Sequence, residues 1–517
     1  MVNWSDFNTV GNERDYLLKA FDSGWVSGGD YVSELENMLQ AVFPGSEAIS
    51  ASNGTIALQL AFQLMELKPG DEVIVPSFCF QAAANVLIQL GAKPVFCDID
   101  VLTWSQNVRT LSEARTNRTV GLVIVHNYGC MADMEKIVDW ADQNGVWIIE
   151  DCAEAWFSMC RGKYAGQFGA LGTYSMHATK TISCGEGGVT LINDQKLVGR
   201  ARLLRSHGLA RSGTHYFPEV AGNNYRLSNL HCALACAQLE QREYIIEQKK
   251  KINRIMEAAL LQHPLIETQL SCYNCVDVKW AVAIRLNFDL LAIERDGLMR
   301  VLKESGIETR PGFYNASQLE IYGPNPVVNS KVSGAISEEV IVLPCATSMT
   351  QLEIDQVCNE VVRLVDDYFL HGEKVEFVTL TNEADSRTIL EGFLSRIELG
   401  RAKFRYFENR TFEALRSHLF TSALCVDDTP VCYGHLDSDD GKTWLGIAVA
   451  DEFVGSGFGK TMIRHLLKQA RSMKQTMVHL MVDSDNYPAI KLYEKNGFRK
   501  ISFDREKDSL LMVHELY

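Results

Sequence analysis

Lys180 stands at the centre of LGTYSMHATKTISCGEGGVTL, residues 171–191, between a polar turn (177–179) and a small, glycine-rich turn (183–188). A lysine held among small residues can be approached closely by a ligand, and its amine, once deprotonated, attacks carbonyls. Most lysines are solvated surface charges, so its companions have to decide. Asp151 directly follows the apolar run VWIIE, with Glu154 in the turn beyond. A carboxylate there can pair with a protonated ring nitrogen and keep it charged; it can equally be a helix N-cap. Asn53-Gly54-Thr55 leads into a strongly apolar helix. Such a start leaves backbone N–H groups for a phosphate, or is a plain N-cap. The Ser175 hydroxyl is a phosphate ligand or an ordinary turn serine, and Phe80 stacks on a flat ring or is plain core.

A second constellation lies at residues 444–470, WLGIAVADEFVGSGFGKTMIRHLLKQA. An apolar strand runs into a glycine-rich turn and an amphipathic helix, which presents N–H groups to a pyrophosphate. A P-loop needs Gly-x4-Gly-Lys-Thr. Gly459-Lys460-Thr461 fits, but Val454 stands where the first glycine should be, and no magnesium-binding aspartate strand follows at convincing spacing. Further on, DSDNYPAIKLYEKNGFRK (483–500) places Asn486, Ala489, Leu492, Tyr493, Gly497 and Phe498 in a fixed pattern. Tyr493 taken alone is a core tyrosine.

The elements that must position these residues alternate. Strands are expected at 71–77, 93–98, 120–126 and 146–150, and helices at 32–42, 81–90 and 131–144. Such alternation implies right-handed crossovers and a mostly parallel sheet, with ligands beyond the carboxyl ends of its strands. Phe78, Phe80, Asp98, His126, Asn127, Asp151 and Glu154 lie there. Later, a polar loop (222–228) precedes a helix at 229–239, 277–289 contain an apolar strand, 290–304 read as helix, and 306–310 begin another strand. A strand at 338–343 and a helix at 350–365 close a smaller α+β part. A boundary falls near 366–375, after which the alternation restarts, giving domains of 1–370 and 375–517.

Composition narrows the function classes. The chain has 517 residues, too many for one core, and 46% hydrophobic residues, ordinary for a globular protein. A net charge of −15 argues against nucleic acid or an anionic membrane as main partner. Of 14 scattered cysteines, one CxxC pair occurs (Cys272, Cys275) and no second pair follows, so no metal site is expected. Buried free thiols, no leader pattern and no apolar run of spanning length point to a cytoplasmic protein.

The motifs SNGTIAL (52–58), VPSFCFQAAANVL (75–87), EDCAEA (150–155), GTYSMHATKTISCGEGG (172–188), LLRSHG (203–208) and GNNYRLSNLHCALACAQL (222–239) occur in that order. Over residues 5–370 the chain resembles the DegT/StrS-type sugar aminotransferases, fold-type I pyridoxal-phosphate enzymes. The resemblance implies roles. Lys180 would carry the cofactor and shuttle the proton, Asp151 would pair with the pyridine nitrogen, and Glu154 would contact the ring hydroxyl. Phe80 would stack on the ring, and Gly54, Thr55 and Ser175 would bind the phosphate. Asn224 would reach the phosphate of a neighbouring subunit, implying a homodimer. Glu154, WVSGGDYV (25–32) and KTISCGEGG (180–188) are similar to the perosamine-synthase branch. That branch aminates C4 of a nucleotide-linked 4-keto-6-deoxy sugar from L-glutamate. Related dehydratases carry histidine where Lys180 stands, which favours transamination.

The second constellation resembles the GNAT N-acetyltransferases. Their turn is Gln/Arg-x-x-Gly-x-Gly/Ala; Gly457 and Gly459 match and Val454 departs. The resemblance implies that strand residues through Ile447 and Val449 meet the acetyl-CoA carbonyl. It implies that Val454, Gly455, Gly457, Gly459 and Lys460 cradle the pyrophosphate, with Asn486 in the cofactor site. Tyr493 would protonate the leaving thiolate, and 375–443 would carry acceptor specificity. The joint expectation is an enzyme that installs an amine on a nucleotide sugar and acetylates it, for bacterial surface glycans. The alternatives are amination at C3, a C-terminal domain that binds CoA without turnover or uses another acyl group, and a cofactor-binding regulator. The regulator reading lacks a DNA-binding region and has the wrong charge.

Overall fold

The computed structural model describes residues 1–210, 217–323, 325, 327–397 and 412–516. An eight-stranded sheet carries the first site. Its order is Glu47–Ala51, Gly188–Ile192, Leu171–Ser175, Trp147–Asp151, Thr119–Val125, Glu72–Pro76, Lys93–Cys97 and Val327–Val328. The pairings from Leu171–Ser175 to Val327–Val328 are parallel. Gly188–Ile192 runs antiparallel to both its neighbours. Glu72–Pro76 is buried at every residue, as a parallel strand covered by helices on both faces must be. Alternate residues face opposite ways: Ile74 joins one hydrophobic cluster, Val73 and Val75 the other.

A four-stranded antiparallel sheet follows, ordered Ile266–Thr268, Val282–Leu286, Val340–Leu343, Arg310–Pro311. Two local expectations are corrected here. The helix expected from 290 begins at Arg295, because Phe288–Leu290 forms a short 3-10 turn with Leu290 fully buried. The strand expected from 306 is only Arg310–Pro311, where proline lacks the N–H that would extend the ladder.

A seven-stranded sheet completes the chain: Val375–Thr379, His418–Val426, Thr429–Asp439, Lys442–Val449, Met477–Asp483, Ser509–Glu515, Arg499–Asp504. Lys442–Val449 and Met477–Asp483 run parallel and pair only at Thr443–Val478 and Trp444–His479. Beyond Trp444 they part, and the helix Phe458–Ser472 crosses between them. The hydrophobic core does not stop at the join. One cluster runs from Val282, Leu286 and Ile336 into Phe458, Met462 and Leu466. The 14 cysteines are free thiols, and Cys275 faces Cys160 across two short strands. Among the described residues no helix is long and apolar enough to cross a membrane.

Candidate functional sites

The first site gathers at the carboxyl ends of the parallel strands. Asp151 is the last residue of its strand and is buried. Its carboxylate accepts from the Ala153 N–H at 3.1 Å. Burial pushes its carboxyl up to about 6, with the Glu154 charge adding and the Ala153 N–H, Lys180 and His126 opposing. Lys180 Nζ donates to Glu154 Oε1 at 3.0 Å, and the two side chains are 14% and 7% exposed. The other Glu154 oxygen accepts from Tyr128 N at 2.8 Å. The Lys180 ammonium lies 3.9 Å from the centroid of Trp280, whose indole N–H donates to Thr179 O. Lys180 is therefore no solvated surface charge.

The start of the helix Gly54–Leu64 stands beside this cluster. Asn53 caps it, its side-chain oxygen accepting from Ile56 N at 2.9 Å. The cap leaves the N–H groups of Gly54 and Thr55 without helical partners, so a capped helix start can still receive an anion. A Cβ on Gly54 would lie 2.9 Å from that of Ser175, and one on Gly188 would lie 2.3 Å from Asn53 O. These glycines let Ser175 and the helix start converge. Phe80 is 67% exposed, so it is not core. Asn224 stands apart: it is exposed, and its side-chain oxygen accepts from Arg226 at 2.9 Å.

A phosphorylated cationic ring fits these residues on two counts. Asp151 is a buried carboxylate that a positive ring nitrogen would hold ionised. The absence of a side chain at Gly54, where a Cβ would press on Ser175, lets the open helix start lie beside the Ser175 hydroxyl. The nearby set His126, Glu150 and Cys152 has its own work. His126 Nδ1 accepts from Ala132 N, so Nε2 carries the proton and donates to Glu150 at 3.1 Å. Glu150 also accepts the N–H groups of Gly166, Phe168 and Gly169, which fixes the loop behind the site.

The second site is a cavity of about 1390 Å³ where the strands of the last sheet part. Ile447, Val449, Val454, Gly455, Gly457, Gly459, Lys460, Asn486 and Tyr493 all line it. Gly455 and Gly457 have φ of +89° and +104°, open only to glycine at low cost. Gly457 precedes the helix Phe458–Ser472, so a helix start, with its first N–H groups lacking helical partners, lies at the cavity wall. Asn486 caps the helix Tyr487–Lys495 through Ala489 N. Tyr493 is 7% exposed, and burial pushes its phenol above the ordinary range. Val454 is 70% exposed.

Several lining residues were not legible as a site in the sequence. His435 and Asp437 face the cavity from Thr429–Asp439, and Asp483 from the opposite strand. A Cβ on Gly446 would come 2.3 Å from the His435 ring, so that glycine makes room for the imidazole where the strands part. Phe288, Asp289 and Glu339, far upstream in the chain, also line it. Trp280 belongs to the first site in the same way. An isolated histidine or tryptophan carries no spacing signal. Of the stretch expected to select the acceptor, 398–411 lie outside the described residues.

Residues 8–362 match the model of the DegT/DnrJ/EryC1/StrS aminotransferase family, and residues 387–498 that of the acetyltransferase (GNAT) family. A GDP-perosamine synthase of Escherichia coli O157:H7 is 34% identical over 359 residues, 69% of this chain and 97% of that protein. A GDP-perosamine synthase of Vibrio cholerae is 34% identical over 351 residues, 68% and 95% of the two chains. The solved aminotransferase TlmJ from Streptoalloteichus hindustanus superposes with a TM-score of 0.66 at 25% identity, covering 71% of this chain and 99% of that one.

Proposed function

Since the chain belongs to the DegT/DnrJ/EryC1/StrS aminotransferase family and ends in a GNAT domain, we propose that it builds an N-acetylated amino sugar in two steps. The first transfers an amino group from L-glutamate to C4 of a nucleotide-linked 4-keto-6-deoxyhexose. The second acetylates that amine from acetyl-CoA. The 34% identity to GDP-perosamine synthases supports the nucleotide-sugar substrate. The observation that carries the pairing of steps is the join itself. A lysine–carboxylate cluster and a phosphate-turn cleft share one chain and one hydrophobic core.

Pyridoxal phosphate, when bound, supplies an electron sink for the donor's α-carbon. Asp151 keeps the ring nitrogen protonated, and Gly54, Thr55 and Ser175 hold the phosphate. Phe80 covers the ring. Lys180 carries a proton from the donor carbon and returns one to the sugar carbon. Glu154 and the Trp280 face hold the lysine in place while it does so.

In the second cleft the sugar amine attacks the thioester carbonyl, a C–N bond forms and the C–S bond breaks. The amine arrives as an ammonium and must first lose a proton. His435 lines that end of the cleft, and its imidazole is the group proposed to accept that proton. Backbone N–H groups of Lys442–Val449, released from pairing where the strands part, stabilise the oxyanion. Tyr493, held neutral by burial, gives its proton to the leaving thiolate.

The active unit is proposed to be a homodimer. Trp25 is 71% exposed beside a cavity of about 710 Å³ lined by Gly28, Tyr31, Arg205 and Arg226, near the exposed Asn224. Light scattering of the purified protein tests this; a monomer that aminates at full rate would refute it.

The decisive assay incubates the protein with pyridoxal phosphate, L-glutamate, acetyl-CoA and a panel of GDP-, dTDP- and UDP-4-keto-6-deoxy sugars, with products read by mass spectrometry. An N-acetylated amino sugar from one of them is expected. Absence of amination across the whole panel would overturn the C4 assignment and send the search to 3-keto sugars, and an amine that is never acetylated would overturn the second step.

A further inference from the structure

The phosphate-binding turn of the GNAT domain does not stand alone. The strand Val282–Leu286 of the aminotransferase domain ends against it. Asn287, the next residue, is 3% exposed, and its side-chain N–H₂ donates to Gly457 O at 3.0 Å and to Thr461 Oγ1 at 3.0 Å. A Cβ on Gly457 would lie 2.9 Å from that of Asp289, so the turn rests directly on this loop. Lys460 Nζ, the cation of the turn, reaches Asp289 Oδ2 at 2.5 Å and Glu339 Oε1 at 2.9 Å. Glu339 is anchored in turn by Arg285 at 2.6 Å and Arg464 at 2.8 Å.

These two groups of contacts act in opposite directions on an incoming polyanion. The Asn287 amide ties the carbonyl of Gly457 and the Thr461 hydroxyl away from the cavity, which leaves the turn's N–H groups facing into it. Asp289, with its side chain 62% exposed at the cavity wall, draws Lys460 toward a carboxylate and adds negative charge beside the turn. Glu339 is buried and already matched by two arginines, so Lys460 can leave Asp289 without abandoning its anchor.

We propose that the acyl-CoA site is a composite of both domains, in which Asn287 is a positioning residue for the phosphate-binding turn and Asp289 competes with the pyrophosphate for Lys460. This rests on the acyl-CoA reading of the cleft. It assigns to two residues of the aminotransferase domain a role in the other domain's reaction, with opposite signs.

Calorimetric titration of the full chain, loaded with pyridoxal phosphate, against acetyl-CoA tests it. Asn287→Leu keeps the branched shape, with slightly larger methyl ends, and removes both hydrogen bonds. It is expected to raise Kd and KM for acetyl-CoA roughly tenfold while leaving saturated kcat and the amination rate within twofold. Asp289→Asn is expected to lower Kd about threefold at low ionic strength, an effect that shrinks with added salt. A wild-type Kd in the Asn287→Leu protein overturns the positioning role. So does a variant that loses amination and thermal stability together, since that marks a general fold contact. Weaker binding in Asp289→Asn overturns the competition. A wild-type protein that aminates but binds no acetyl-CoA overturns the acyl-CoA reading itself, a different result from any of these.

Discussion

Around Lys180 the polar supports come from adjacent strand ends of one sheet, 26 residues apart in the chain at each contact. Glu154 follows Asp151 in one loop, Tyr128 closes the adjacent strand end, and Ser175 precedes the lysine on the same strand–turn unit. Around Lys460 the supports come from Asn287, Asp289 and Glu339, across the join between domains. A site built at the strand ends of one sheet carries its own scaffold. A site whose turn is held by another domain depends on that domain staying folded. The expected asymmetry is that damage to the second site leaves amination intact, whereas unfolding of the first domain silences both.

The largest effect should come from Lys180→Ala. Without its amine the proton carrier is gone, and amination should fall by at least about 10³-fold. Acetylation of a supplied 4-amino sugar should continue at the wild-type rate, measured by thiol release from acetyl-CoA. Loss of both activities would break the asymmetry from the opposite side. His435→Gln tests the second cleft. Acetyl transfer should drop about 10²-fold in kcat, with amination unchanged. An unaltered kcat would move the proton acceptor to Asp437 or Asp483.

This contrast also explains what could be read from sequence. The strands at 71–77, 93–98, 120–126 and 146–150 are short apolar runs bounded by turn residues, and each formed within a residue or two of its expected limits. Lys180, Asp151, Glu154, Gly54 and Ser175 converge because one sheet places its strand ends side by side. The antiparallel strand Gly188–Ile192 inside a parallel sheet has no local signature. Trp280, His435, Asn287 and Asp289 were silent for the same reason. Each becomes functional only through a contact with a distant segment, and a lone residue type has no periodicity to betray it. At 290–304 the apolar pattern misled, since Leu290 and Leu291 are core residues that precede the helix.

A smaller effect separates the sites by pH. Burial raises Asp151 from 3.8 to about 6 in the protein without ligand. A group raised on folding contributes stability below its unfolded value and loses that contribution as pH climbs through its folded value. Between pH 5 and 7.5 the cofactor-free protein should therefore give up about 1.4 kcal/mol at this residue, roughly half of the total loss that begins near pH 3.8. A cationic ring nitrogen removes the penalty. The rise in Tm on adding pyridoxal phosphate should be larger at pH 7.5 than at pH 5, and Asp151→Asn should flatten the difference. Among the described residues the acetyl-CoA cleft shows no carboxyl raised by burial as Asp151 is, so the Tm shift acetyl-CoA produces should change less over that window.

The smallest effect concerns Val454, where the acyl-CoA turn departs from the pattern of the family it matches. Its side chain is 70% exposed at the cavity rim, so an exchange there meets no packing cost. In the proposed acyl-CoA site the turn's phosphate contacts run through backbone N–H groups, whatever residue stands at 454. A glutamine would therefore add one exposed hydrogen bond to a charged oxygen, worth roughly 1 kcal/mol at most in that setting. Val454→Gln should lower KM for acetyl-CoA by about two- to fivefold without altering kcat. Combined with Asp289→Asn, it should give additive changes in log Kd, because one adds a contact on the solvent rim and the other frees a cation at the domain join. A double variant that gains no more than either single one would mean that both act through the same motion of the turn. The rim and the join would then be a single device, and the difference between a self-supported and a borrowed site would lie in how far the turn can move, not in who holds it.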